Sequence, residues 1–546
     1  MNINYIRIIF LVVLTTCLIY ILPFSKDYSK KDLSSFQESD IKFSLEDKGK
    51  KFFDSLEKID NFGHTYVNSK LFKNIKISHL NGSILNLDLA DYKKNLEESK
   101  SISILNQDKD NLYLAKILLS IENGESDIVF KYVNTLRDEN SVTISFSGKT
   151  NSIDVLRTYI FDDSYFIKII DRITNIGKSD LEIGFSNIIF RQIKNNKSKL
   201  NLFDSRSYSF NGIAFSSDKK LFKKLPFSKI SKHENIKDNN SISSKGWIGI
   251  VENYFTSIWF SPTSSKGNLS IYYNMIRGDL YEIGLKIKNL SVPKSQTILN
   301  EKFLYIGPKI VSELSPIIST KHETNSLNRI VDYGKLSFIA SLIFELMNKV
   351  NVYTGNWGLS IILVTILIKI FFFPLSHKSY KAMAHIKLLN PRIKSIQEIY
   401  KDDRKALGVK MGEIYKKEKV NPASGCFPMM IQIPFFISLY WVLNESVCLR
   451  HAPFYLWILD LSDKDPYYVL PILMGLSMLI QQRFNTSTLD SSQARVAMLM
   501  PFIFVFLFCT LPSGLMLYWL TNNILNILHQ AYVSKKVDVL KKSFKE

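Results

Sequence analysis

Lys369 stands in the apolar run Trp357–Leu375, where a cation costs roughly 2.5–3.5 kcal/mol even on lenient insertion scales. Something has to hydrate or pair it. Amide side chains occur at a comparable depth in other apolar runs: Gln432, Gln481, Gln482, Asn522, Asn523 and Asn526. Each can offer a carbonyl oxygen to an ammonium, although a lone amide in such a run is usually glue between helices. Several amides and one lysine at one level fit the lining of a wet cavity closed at one end. No carboxylate shares that level, which argues against a proton relay or a cation-coupled carrier. A lysine about 9 Å from the end of its helix can also snorkel to water, so Lys369 alone leaves both readings open.

No other residues suggest bond-making chemistry. His64, His79 and His233 are scattered, and Asp162, Asp163 and Asp171 are expected at strand ends as solvated turn residues. Neither a metal nor a cofactor nor a catalytic group is expected.

The elements that must position Lys369 are apolar runs long enough to be membrane spans. They are Ile8–Leu22, Trp357–Leu375, Cys426–Leu443, Tyr467–Ile480, and the pair Val496–Leu511 and Leu515–Leu528, split by Pro512-Ser513-Gly514. This predicts six transmembrane helices, the first an uncleaved anchor over 1–23 and the other five a core over 357–533. The stretch Ala497–Thr510 covers about 21 Å against a hydrocarbon core of about 30 Å, so the bilayer is expected to thin beside it. Orientation follows from basic residues in short connections. The connection 376–424 carries twelve, among them Lys378, Lys381, Arg392 and Lys419, and the tail 534–546 carries Lys535, Lys536, Lys541, Lys542 and Lys545. Both are expected in the cytoplasm, and 448–466, with Asp460, Asp463 and Asp465, outside.

The 546 residues carry 70 Lys+Arg against 50 Asp+Glu, with 46% hydrophobic residues and four cysteines. That balance excludes a disordered chain and a disulfide scaffold. Residues 24–60 read as a polar tether, 61–330 as an exported β domain and 331–356 as an amphipathic interfacial segment. Within the β domain, Tyr281, Ile283, Leu285 and Ile287 alternate with polar residues or glycine, the period of a half-buried strand. Val142–Phe146, Val155–Phe161, Leu269–Tyr273 and Ile298–Ile306 add strands, and Asn175-Ile176-Gly177-Lys178 predicts a hairpin between Tyr165–Ile173 and Leu181–Phe190. An antiparallel β-sandwich results. In the basic connection, Met383, Ile386, Ile393, Ile396 and Ile399, then Leu407, Met411, Ile414 and Tyr415, predict two amphipathic helices forming a hairpin suited to a partner.

Three motifs carry a resemblance: Asn421-Pro-Ala-Ser-Gly-Cys-Phe-Pro428 followed by Met429–Phe435, LWILDLSDKDPYYVLPILMG over 456–475, and LPSGLMLYWLTNN over 511–523. Over residues 330–533 the chain resembles the YidC membrane protein insertases. The resemblance implies a multi-span α-helical membrane protein of the bacterial inner membrane with a large periplasmic β-supersandwich. It implies a substrate groove holding Lys369 and, four residues earlier, Thr365, with Trp519 beside Tyr518 as the aromatic contact and Gln432 and Pro434 as the Gln-x-Pro of the next span. To these the level of the amides adds Gln481, Asn522 and Asn526. Arginine and tyrosine are usual where Lys369 and Trp519 stand, so a guanidinium fork and a phenol are missing from those positions here. The implied activity is insertion and folding of nascent inner-membrane proteins, alone or with the Sec translocon. The basic hairpin and tail would meet the ribosome or the signal recognition particle pathway, without reading a nucleic acid sequence. A solute transporter would instead show internal repeats and a midplane site, and a membrane-anchored periplasmic enzyme a reactive constellation in the β domain.

Overall fold

A computed structural model describes residues 61–108, 111–122, 124–193, 210–217, 220–230, 241–243, 246–261, 268–277, 279–314, 327–400, 403–418, 427–485 and 491–543. The expected anchor and tether, and residues 421–426 of the first motif, lie outside them. The described residues form two compact units that meet in sequence at Val331 and Asp332.

In the first unit, period-two alternation makes strands. Ile153–Phe161 buries Ile153, Val155, Arg157, Tyr159 and Phe161 and leaves the residues between them half-buried. Among the described residues the strands form a ten-stranded and a nine-stranded sheet. Their neighbours run antiparallel, as Phe166–Asn175 does against Thr297–Pro308 and Leu181–Gln192 against Leu280–Val292.

Two expectations fail here. Asn175–Lys178 does not close a hairpin: the strand before it pairs within the nine-stranded sheet and the strand after it within the ten-stranded one. The Asn175 side chain explains the crossing. Its oxygen accepts from Gly177 N at 2.8 Å while its amide donates to the carbonyls of Ser179 (2.9 Å) and Val292 (2.8 Å), making a corner between sheets.

Nor is Asp171 a solvated turn residue. It lies mid-strand with no exposed surface, in register with Arg157 on the neighbouring strand. Arg157 donates Nε and Nη2 to the Asp171 carboxylate at 2.6 and 3.0 Å, and Lys302 donates Nζ at 2.5 Å. The same residues join the two sheets. Arg157 Nη1 donates to Asn81 O at 2.6 Å, Tyr159 donates to Gly82 O, and the Lys302 ammonium lies 4.0 Å from the centre of the Phe185 ring. Gly82 has φ of +61°, and a Cβ there would lie 2.6 Å from the Tyr159 oxygen, so only glycine fits.

The second unit is helical: α1 Ser337–Thr354, α2 Trp357–Phe371, α3 Phe373–Leu388, α4 Asn390–Ile399, α5 Arg404–Lys417, α6 Phe427–Glu445, α7 Val469–Asn485, α8 Ser491–Phe508 and α9 Ser513–Ser543. Gly355 ends α1 in the left-handed region, and Asn356 caps α2 by accepting from Leu359 N at 3.0 Å. Pro374 in the first turn of α3 allows a 69° bend between α2 and α3. At the start of α9, Ser513 N and Gly514 N donate to the carbonyls of Asp463 (2.7 Å) and Leu461 (3.0 Å). The Asp465 carboxylate gathers Trp457 Nε1, Tyr467 N and Leu470 N within 3.0 Å. The second and third sequence motifs thus interlock at this end of the unit.

Three helices, not two, occupy the basic connection. Asn390-Pro391 starts α4 anew, and α3 belongs with α9, where Tyr380, Val533 and Val537 share a core with Met383, Ala384 and Leu388. The hairpin proper is α4 and α5, closed by Ile393 and Met411 with Ile386, Leu389, Leu407 and Tyr415. Among the described residues no single helix is long and apolar enough to cross a membrane, although α2 and α3 qualify as a bent pair. Polar residues enter within the length a bilayer would need, as Gln481, Gln482 and Arg483 do in α7 and Asn522 and Asn523 in α9.

The ion cluster of the β unit makes a testable prediction. Burial alone would raise the Asp171 carboxyl, but Arg157 and Lys302 outweigh it and hold it at about 2. Its stabilisation is therefore present above the unfolded value of about 3.9 and lost as pH falls towards the folded one. Asp171→Asn should cost about 3–5 kcal/mol, since two cations stay buried without their partner, and should flatten the acid loss of stability. Denaturant titrations of the solubilised chain, followed by β-sheet circular dichroism, measure both. An unchanged midpoint at neutral pH would contradict the clamp.

Candidate functional site

Thr365 and Lys369 lie one turn apart on α2, and Tyr518, Asn522 and Asn526 repeat every four residues along α9, so each set shares a helix face. The Lys369 ammonium donates to Asn522 Oδ1 at 2.9 Å and to Asn526 Oδ1. Tyr380 of α3 donates its hydroxyl to the same Asn526 oxygen at 2.8 Å. Three helices therefore meet on one amide. Lys369 is half-buried, whereas Tyr380, Asn522 and Asn526 are buried.

The remaining expected site residues divide among different surroundings. Thr365 is buried and returns its hydroxyl to Ile361 O at 2.6 Å, one turn back. It shares with Tyr518 a small apolar pocket between α1, α2, α6 and α9, lined also by Ile343, Met347, Ile361, Val364, Ile368 and Leu439. Trp519 packs with Phe436, Phe508 and Phe504, at ring-centre distances of 4.8, 5.4 and 6.0 Å. Asn523 donates to Ser477 Oγ of α7 at 2.9 Å and so ties two helices. Gln432, two residues before Pro434 inside α6, and Gln481 on α7 are half-buried, and none of the bonds to Lys369 reaches them.

The structure thus brings together Lys369, Asn522 and Asn526 and adds Tyr380, which sequence reasoning missed. The available signal was its place eleven residues after Lys369, beyond a helix-starting proline.

The electrostatics are one-sided. Helices α2, α3, α7 and α8 contain no Asp or Glu, nor does α9 as far as Val537, and α6 has only Glu445 at its last position. An ammonium has three donors. Two rest on neutral amide oxygens, so the cradle satisfies hydrogen bonds without cancelling the charge, and one donor stays available for water or an arriving anion.

Two family models cover most of the chain: 60Kd inner membrane protein over residues 349–542 and YidC periplasmic domain over residues 65–346. The membrane protein insertase YidC of Francisella philomiragia subsp. philomiragia is 40% identical over 482 residues, spanning 88% of this chain and 86% of its own. That of Francisella tularensis subsp. novicida is 38% identical over 553 residues, 98% of each chain. Among solved structures, an active YidC insertase with its first transmembrane domain resolved matches 89% of this chain and 98% of its own at 15% identity, with a TM-score of 0.40. On the family models and these near full-length relatives, the chain belongs to the YidC family of membrane protein insertases.

Proposed function

We propose that this insertase works without covalent chemistry, using the Lys369 cradle as a transient rest for the polar flank of a nascent apolar segment. The observation that carries this reading is an ammonium on α2, which has no carboxylate, held by amide oxygens of α9, which has none before Asp538. A flank carrying Asp or Glu supplies the missing charge, and two charges 4 Å apart attract by about 4 kcal/mol at an effective dielectric near 20. The apolar part slides along α2 and α9, past Thr365 and Trp519, and each CH2 transferred from water to lipid contributes about 0.8 kcal/mol towards release.

Membership of the family places the protein in an inner membrane. In this reading it has six spans, one anchor over 1–23 and five over 357–533, with the β unit in the periplasm. Exposed apolar side chains on α7 and α8, among them Ile472, Leu476, Leu499, Phe502 and Phe506, support contact with lipid. The apolar part of α8, Met498–Phe508, covers about 16 Å, which supports thinning of a bilayer about 30 Å thick. The basic hairpin and tail receive ribosomes or the signal recognition particle pathway, and some clients arrive through the Sec translocon.

Two experiments test this reading. In reconstituted insertion of a client with an acidic translocated flank, Lys369→Arg should keep activity, Lys369→Leu should slow it about tenfold or more, and Lys369→Glu should be slowest because it repels the flank. A neutral-flanked client should distinguish the variants little. If Lys369 only snorkelled, Lys369→Leu would match the parent on both clients, because a cation's insertion cost disappears with it. For topology, single cysteines at the exposed positions Asn95 and Lys464 of a cysteine-free chain should label from outside in spheroplasts, and one at Ser395 should not. Outside labelling of Ser395 would reverse the orientation and remove the inward-facing groove.

A further inference from the structure

Beside the cradle, α3 and α9 are joined by two imidazoles. His377 Nδ1 and His529 Nε2 lie 3.3 Å apart, so one ring donates and the other accepts. The buried His529 ring stacks on Phe373, with centres 4.4 Å apart and planes within 6°. It also meets the Tyr380 ring edge-on at 4.8 Å. Tyr380 is the residue that donates to Asn526, which in turn holds Lys369. The pair therefore braces the ring that fixes the cradle.

The charged and titratable groups around the pair come from several helices. Lys369 stands on α2, and Tyr380 with the exposed Lys378, Lys381 and His385 on α3. Arg483 is at one end of α7, and Lys535 and Lys536 are further along α9. Helix α6 offers no acid except Glu445 at its last position, and the other helices named carry none before Asp538. An N–H···N bond lasts only while one facing nitrogen lacks a proton. With both rings charged, two cations would face each other at 3.3 Å, beside Lys369 and without a counter-ion. A parted joint can take a proton on each ring, whereas the closed one can take only one. The parted state thus binds protons more readily, and acidification favours it.

We propose that His377 and His529 form a proton-sensitive positioning pair that locks Tyr380, and through Asn526 aims Lys369, until both rings are charged. The proposal rests on the role given to Lys369 above. The parted joint binds at most one proton more than the closed one, so the ratio of closed to parted joints falls by at most tenfold per pH unit, and by about tenfold between pH 7.5 and 5.5.

The test uses the full chain in nanodiscs, its four cysteines replaced by serine, with spin labels on Lys381→Cys and Tyr532→Cys, both exposed. Distances from pulsed electron paramagnetic resonance should broaden reversibly at pH 5.5 in the parent and stay fixed in His529→Gln, whose amide is uncharged at both pH values. His377→Gln serves if His529→Gln does not fold. An unchanged parent, or an equal change in parent and variant, overturns the pair as a sensor whatever the insertion activity. The second readout is each protein's own ratio of insertion rates at the two pH values for an acidic-flanked client. The parent ratio should be about tenfold and the variant ratio near one. Equal ratios alongside the expected distance change overturn the positioning role and leave the Lys369 reading standing, because the Lys369 series tests that reading separately.

Discussion

An ammonium group among apolar helices needs acceptors for its protons, and the acceptors chosen decide what the site can do. A carboxylate would hold Lys369 firmly and cancel its charge. Amide oxygens from Asn522 and Asn526 hold it and leave the charge in place. Much of the local architecture serves that arrangement. The 69° bend before α3 swings Tyr380 onto Asn526, the four-residue repeat on α9 stacks Tyr518, Asn522 and Asn526, and the clasp between 460–465 and the start of α9 sets the helix that carries them.

The β unit solves the same problem the other way. Lys302 has no exposed surface, and with Arg157 it shares the Asp171 carboxylate, so its charge is answered within the fold. Nothing of it is presented to an incoming molecule. Two lysines in one chain thus differ in role because one meets a carboxylate and the other meets amides.

Much of this was legible in the sequence because periodicity reports burial. Alternation predicted the strands, and the level of the amides predicted that Lys369 would have company. The same alternation places Arg157, Asp171 and Lys302 at inward positions, but a charged residue in such a pattern reads as a turn until its partners are aligned, and register is not a local property. Asn175 misled for a related reason: its side chain satisfies local backbone groups equally well in a hairpin turn or at a corner between sheets. The family resemblance grouped Trp519 and Thr365 with Lys369 in one groove. Side-chain direction separates them, since a one-residue step along α9 turns Trp519 by about 100° from Tyr518, into the Phe436, Phe504 and Phe508 cluster. Tyr380 and His377 lie beyond a helix break from Lys369, so the periodicity of α2 does not carry to them, and His529 stands on a different helix, α9.

The central claim is that the cradle satisfies Lys369 without neutralising it, and the isosteric change Asn522→Asp tests it most directly. Aspartate keeps the shape and an oxygen at the 2.9 Å contact but adds the counter-charge. At matched protein levels in liposomes, Asn522→Asp should lose insertion of an acidic-flanked client and retain that of a neutral-flanked one. Insertion of the acidic-flanked client at the parent rate would show that the uncancelled charge of Lys369 plays no part.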